Sequence, residues 1–336
     1  MKHRGLTVAK GLPDAIGGTP LVALDRLLPG FPSRVYAKME HFNPGGSIKD
    51  RTAVRLLAAK VHSGEIDPRR SVVVESSSGN LGVGLAQLCR YFGLRFVCVV
   101  DARTTTRNIA MLRAYRAEVE VVRRPDPETG EYLPARLRRV RELVASTPDA
   151  YWPNQYANPD NPRAHHLTMA EIDRALGGRV DYLFTAVSTF GTLRGCAEYI
   201  RSHGLRTTVV GVDAQGSAIF GNPPGPRLLP GHGAGIRPPL ADPSLADEVV
   251  HVPDLDSVAA CRRLVMREAV LAGASSGAVV SALEQLAPGI PEGSNCVLVF
   301  PDGGDRYLDT VYCDEWVTQR FGDVAHLWKA PLTTTV

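Results

Sequence analysis

Phe42-Asn-Pro-Gly-Gly-Ser-Ile-Lys-Asp-Arg51 runs a turn-forming Asn-Pro-Gly-Gly straight into a helix start. Ser47 and Asp50 have the spacing of a capping box, which predicts Ser47 at the N-cap and Lys49 at the second helical position. A helix N-terminus is the positive end of the macrodipole, where an ammonium is disfavoured. That repulsion and partial burial should both lower the pKa of Lys49. An amine that is neutral near pH 7 can form a Schiff base with an aldehyde. The preceding glycines let the backbone approach a ligand closely. The plainer alternative is a lysine whose head group reaches solvent.

Outward from this turn, short β-branched runs alternate with amphipathic stretches. The predicted strands are 35–38, 72–75, 96–100, 119–122, 182–187, 208–212, 248–252 and 296–300. Between them, Val54, Leu57, Ala58 and Val61, and then Leu81, Leu85, Leu88, Cys89 and Phe92, have helical spacing. This alternation predicts an α/β fold with mainly parallel sheets, in which ligands bind beyond the carboxyl ends of the strands. Arg123–Gly130 reads as a surface loop. The Gly/Pro-rich stretch from Gly216 to Pro243 is long enough to suggest function. The stretch from Thr318 to Val336 is polar and weakly patterned.

At 336 residues the chain fits two closely joined domains. A net charge of +3, without a basic tail, gives no reason to expect a nucleic-acid partner. The longest apolar runs have strand length, well short of the ~20 residues of a membrane span. The N-terminus, Met1-Lys-His-Arg-Gly-Leu-Thr-Val, lacks the apolar core of a signal peptide, so a cytoplasmic location is expected. Six scattered cysteines show no metal or disulfide spacing and read as buried thiols in a reducing compartment. The neighbours His165 and His166 do not form a metal signature, and no metal is expected.

The aldehyde that suits Lys49 is pyridoxal 5'-phosphate. It requires a lysine, a phosphate cradle, and partners for its ring hydroxyl and pyridine nitrogen. Thr185-Ala-Val-Ser-Thr-Phe-Gly-Thr192 follows a strand and opens a helix, so its backbone N–H groups, with Ser188, Thr189 and Thr192, can hold phosphate. Glu75-Ser-Ser-Ser-Gly-Asn-Leu-Gly82 joins strand to helix in the same way. It offers a helix N-terminus for a substrate carboxylate and Asn80 for the ring hydroxyl. Asp302, where a buried strand stops at Pro301, is either placed to hold the pyridine nitrogen protonated or simply a turn-forming residue before Gly303-Gly304.

These stretches resemble the cysteine synthase family of fold-type II pyridoxal-phosphate enzymes, which includes cystathionine β-synthase and the tryptophan synthase β-subunit. The matching stretches are Gly17-Gly-Thr-Pro-Leu-Val22, Ala37 to Arg51, Ser78-Gly-Asn80, Asn154-Gln-Tyr-Ala-Asn-Pro159, Gly233-Ala-Gly235, Gly273-Ala-Ser-Ser-Gly-Ala278 and Gly304-Asp-Arg-Tyr-Leu308. The resemblance implies Lys49 as the Schiff-base lysine, Asn80 at the ring hydroxyl, and Ser188, Thr189, Phe190, Gly191 and Thr192 around the phosphate. Ser77, Ser78, Gly79, Asn80 and Gln155 would surround the substrate carboxylate. It further implies a tryptophan synthase β-subunit-like fold with the cofactor between two α/β domains, and a homodimer. The larger domain would comprise 1–42 and 154–325, the smaller mobile domain 43–153, and the C-terminal tail 326–336.

Three departures from the family pattern stand out. Ser77-Ser-Gly-Asn-Leu-Gly82 replaces Thr-Ser-Gly-Asn-Thr-Gly. Ser188 and Phe190 stand where relatives have glycine, the residue a positive φ ordinarily requires. Asp302 stands where the pyridine partner is usually Ser or Thr. The Glu-Ser-Ser-Ser-Gly-Asn-Leu-Gly loop resembles a subgroup that condenses O-phospho-L-serine with L-glutamate. Its product, N-(2-amino-2-carboxyethyl)-L-glutamate, leads to L-2,3-diaminopropionate in siderophore and peptide-antibiotic pathways. Such substrates need cationic neighbours, and Arg237 is the candidate in the Gly/Pro-rich loop, the alternative being a solvated surface arginine. The alternatives are a cysteine synthase acting on O-acetylserine or O-phosphoserine, and a non-catalytic homologue that binds a partner in the same cleft.

Overall fold

The computed structural model describes residues 8–329. In chain order the strands are β1 (Leu21–Ala23), β2 (Arg34–Met39), β3 (Val72–Ser76), β4 (Arg95–Asp101), β5 (Glu118–Val122), β6 (Ala150–Tyr151), β7 (Tyr182–Ala186), β8 (Thr208–Ala214), β9 (Glu248–Val252) and β10 (Asn295–Phe300). The α-helices are α1 (Lys49–His62), α2 (Asn80–Phe92), α3 (Thr106–Ala114), α4 (Tyr132–Ser146), α5 (Asp160–Leu176), α6 (Gly191–Ser202), α7 (Asp254–Glu268), α8 (Ala274–Leu286) and α9 (Asp314–Phe321).

The strands form two sheets, a six-stranded one ordered β1-β2-β10-β7-β8-β9 and a four-stranded one ordered β5-β4-β3-β6. Every pairing is parallel except that of β1 with β2. All eight predicted strands are present. The short strands β1 and β6 were not expected: three and two residues carry too little periodicity to register.

Burial on both faces explains the continuous apolar strands. Along β10, Cys296, Leu298 and Phe300 pack into the core formed with α8, while Val297 and Val299 face the core formed with α5 and α6. In the smaller sheet, Val73, Phe96 and Cys98 pack against α1 and α2, while Val72, Val74 and Val99 meet Val140 of α4. The stretch after Thr318 is better patterned than its polarity suggested. Phe321, Val324, Leu327 and Trp328 join a satellite core with Val258 and Cys261 of α7. The end of the expected tail, 330–336, lies outside the described residues, as do 1–7.

Among the described residues no helix is long and apolar enough to cross a membrane, and no His/Cys/Asp/Glu group could hold a metal ion. Five of the cysteines are buried and all six are unpaired. His165 is enclosed between Thr52 and Thr168, and His166 meets Glu198.

Candidate active site

The six-stranded order sets β2, β10 and β7 side by side. Three connections therefore leave neighbouring strand ends and converge: the lysine turn, the Pro301-Asp302 turn and the Ser188–Thr192 loop. Ile48 N–H donates to the Pro301 carbonyl at 2.8 Å, and Ser47 bridges Asp302, so the lysine turn is laced to the end of β10.

The turn differs from the expected capping box. Helix α1 begins at Lys49, which is its first rather than second residue. Ser47 Oγ accepts the Lys49 N–H at 3.2 Å, but the Asp50 carboxylate reaches back to the Gly45 N–H instead of to Ser47. The reason is space: a Cβ at Gly45 would lie 2.5 Å from Asp50 Oδ1, so glycine alone lets this buried carboxyl fold onto the turn. Burial pushes Asp50 up to about 7.

Lys49 is half-buried and its amine faces the cavity between these loops. Desolvation lowers its pKa to about 8, opposed by the charge of Asp302.

Residues 77–79 leave β3 and end at Asn80, the first residue of α2. Ser77 Oγ accepts the Gly82 N–H at 2.9 Å, and Asn108 donates to the Ser78 carbonyl. Asn80 donates to Asp302 Oδ2 at 2.8 Å and accepts from Arg306, which also donates to the Gly45 carbonyl at 2.6 Å. Arg306 thereby stitches the asparagine loop to the lysine turn. Glu75, fully buried, accepts from Trp152 Nε1 and from the Gln155 N–H, each at 3.1 Å, and Gln155 donates to the Ser76 carbonyl. Gln155 thus braces this loop.

On the opposite wall, Ser188 and Thr189 lead into α6, with Phe190 at its N-cap in the left-handed region (φ 71°). One of the two glycine replacements therefore keeps a backbone that glycine would normally supply, while Ser188 does not adopt a positive φ. Asn161 donates to Thr189 Oγ1 at 3.1 Å. A Cβ at Gly191 would fall 2.2 Å from Asn161 Oδ1.

A cleft lies between these elements, partly open to solvent. Lys49, Asn80, Ser188, Thr189, Phe190, Gly191 and Thr192 all line it. Its lining supplies an amine, an amide, several hydroxyls and the N-terminus of α6, with no carboxylate. That donor set fits an aldehyde bearing a phosphate dianion.

Ser77, Ser78, Gly79 and Gln155 do not line it, and Asp302 is buried with Oδ2 shared between Asn80 and Tyr307 and Oδ1 without a partner. Arg237 is exposed and donates to the Ile219 carbonyl at 2.8 Å. The lining also includes residues not expected at the site, among them Gly231 and Ser275, the second in the first turn of α8. Arg136 of α4, outside the lining, is 8% exposed. Arg136 lies 3.3 Å from Asp101, interacts with Tyr156, and leaves Nη1 without a hydrogen-bond partner.

The family described as "Pyridoxal-phosphate dependent enzyme" matches residues 12–302. The chain is 47% identical over 313 residues to an N-(2-amino-2-carboxyethyl)-L-glutamate synthase of Ralstonia nicotianae, covering 93% of this chain and 92% of that protein. Among solved structures it resembles a cysteine synthase from Entamoeba histolytica (TM-score 0.85, 30% identity, 93% of each chain). It also resembles an O-acetylserine-dependent cystathionine β-synthase from Helicobacter pylori (TM-score 0.84, 31% identity, 92% of this chain and 100% of that one).

Proposed function

The chain belongs to the pyridoxal-phosphate dependent enzymes, and on that premise we propose that it replaces the phosphate of O-phospho-L-serine with the amino group of L-glutamate. The products are N-(2-amino-2-carboxyethyl)-L-glutamate and inorganic phosphate. The observation that carries the choice of nucleophile is the 47% identity, over almost the whole chain, to a synthase of that product. The buried, incompletely paired Arg136 supports it, because a doubly charged leaving group and a dicarboxylate both need a cation. Arg136 takes that role in place of the exposed Arg237.

In this reading Lys49 holds the cofactor's aldehyde, Ser188 to Thr192 its phosphate, and Asn80 its ring hydroxyl. Ser275, on the cavity wall, takes the pyridine nitrogen. Asp302 gives way to it because Asp302 does not line the cavity. When bound, the cofactor supplies an electron sink for charge left at the substrate's α-carbon. The loop from Ser77 to Asn80 binds the substrate carboxylate. Once free, Lys49 takes the α-proton as general base. The bond from the β-carbon to oxygen breaks, and phosphate leaves with the electron pair. Glutamate's amino nitrogen then bonds to the β-carbon and gives up a proton, and Lys49 returns a proton to the α-carbon. Closure of residues 43–153 over the cleft would exclude water. A cytoplasmic homodimer belongs to the same reading.

The test follows the cofactor's visible spectrum in purified protein. O-phosphoserine should change the band and O-acetylserine should change it less. Glutamate should then restore it, with the condensed product found by mass spectrometry. Restoration by sulfide but not glutamate would make the protein a cysteine synthase, the activity of the structurally similar Entamoeba enzyme.

A further inference from the structure

Phe190 is a bulky side chain at φ 71°, a conformation that such residues adopt only when their surroundings hold them there. It is 1% exposed and lines the cavity at the N-cap of α6. Its backbone therefore decides where the N–H groups of Gly191 and Thr192 point.

The restraint comes through the ring. Phe190 packs into a core with Ile48, Val187, Leu193, Ile219 and Leu240, and its ring centroid lies 5.7 Å from that of Phe220. Phe220 is itself wedged. A Cβ on Gly211 of β8 would meet its Cζ at 3.0 Å, and His251 lies edge-on to it at 6.3 Å. The loop that carries Phe220 is tied to the strand preceding the cradle. Ala218 N–H donates to the Ala234 carbonyl at 2.8 Å, and Gly233 N–H to the Val187 carbonyl at 2.7 Å. Phe220 does not line the cavity.

We propose that Phe220 is a positioning residue for the phosphate cradle, acting through the ring of Phe190 to hold the cradle's left-handed turn. This rests on the reading that Ser188 to Thr192 hold the cofactor's phosphate. Without Phe220, Phe190 would relax to negative φ, and the N–H groups beyond it would turn away from the phosphate. A glycine at 190 needs no such brace, because it adopts positive φ freely.

The experiment is a double-mutant cycle on the holoenzyme, exchanged against pyridoxal phosphate or pyridoxal, with the affinity of each read from the visible band. The quantity of interest is the preference for the phosphorylated form. Wild type should prefer it strongly. Phe220→Ala should reduce that preference about tenfold. In a Phe190→Gly background, Phe220→Ala should change it less than about twofold. Equal reductions in both backgrounds, or none in wild type, would overturn the proposal while leaving the cradle reading intact. No preference in wild type would overturn the cradle reading and this proposal together. Should Phe220→Ala fail to fold, Phe220→Leu, which keeps an apolar side chain but removes the ring, runs the same cycle, and the same outcomes decide it.

Discussion

Removing the guanidinium two residues beyond Lys49 should cost the fold dearly. Arg51 is 3% exposed and donates to both oxygens of Glu40, at 2.7 and 2.9 Å, and to both oxygens of Glu171, at 2.8 and 2.7 Å. Glu40 is fully buried, and Thr19 and Asn43 are its remaining partners. Arg51→Met therefore strands a buried carboxylate, which costs about 3–5 kcal/mol. The second carboxylate adds to this. Burial raises the pKa of Glu171, but the bonds and charge of Arg51, with Lys38 and the Gly18 N–H, bring it down to about 2. From the ordinary 4.5, that drop is worth about 3 kcal/mol, of which Arg51 supplies one part and Lys38 and the Gly18 N–H the rest. The sign follows from a depressed carboxylate: the stabilisation is present above pH 4.5 and is lost as pH falls toward 2. Urea unfolding followed by circular dichroism should show the variant weaker by that amount at pH 7, with the gap narrowing below pH 4.5 as Glu171 protonates in both proteins. A cost below about 1 kcal/mol at pH 7, or a gap indifferent to acid, would mean that neither carboxylate depends on Arg51.

Lys49→Ala should lower turnover by at least about 100-fold and abolish the band of the lysine-bound cofactor, both measured in one cuvette. Cofactor capture by the wild-type protein should rise with pH and level off above about 8, the pKa of the Lys49 amine. Asp302→Asn, by removing the carboxylate that raises this pKa, should move the inflection to lower pH in stopped-flow traces. Arg136→Gln should raise KM for O-phosphoserine or glutamate by about tenfold or more while leaving the cofactor band in place, as steady-state kinetics would show. Gly195→Ala places a Cβ 2.0 Å from the Pro162 carbonyl, where α6 meets α5. It should destabilise by about 1–3 kcal/mol in thermal melts.

Several parts of this site could be read along the chain because each is local. Lys49 after its glycines, Asn80 after its serines and Thr192 after its hydroxyls each announce a strand-to-helix turn. Ser275 lies in a matching stretch, Gly273 to Ala278, without an assigned role, and its approach to the cavity depends on how α8 packs. Arg136 is one of four arginines on α4, and only its packing beside Asp101 and Tyr156 singles it out. Its place four residues before the buried Val140 was the available clue. The bond from Asn80, far away in the chain, to Asp302 Oδ2 could not be read from the sequence. Phe190 shows the converse, since tertiary packing imposes a backbone that its identity argues against.

The strand order has a consequence for how the molecule is made. The four-stranded sheet uses residues 72–151, an unbroken stretch that can pair while the ribosome is still working. In the six-stranded sheet, β10 separates β2 from β7, so the first strand pair must wait for residue 300 before it gains a neighbour on that side. The lysine turn, hung between β2 and Pro301, is completed at that last insertion. A nascent chain released early would carry a finished small sheet and no grip on vitamin B6.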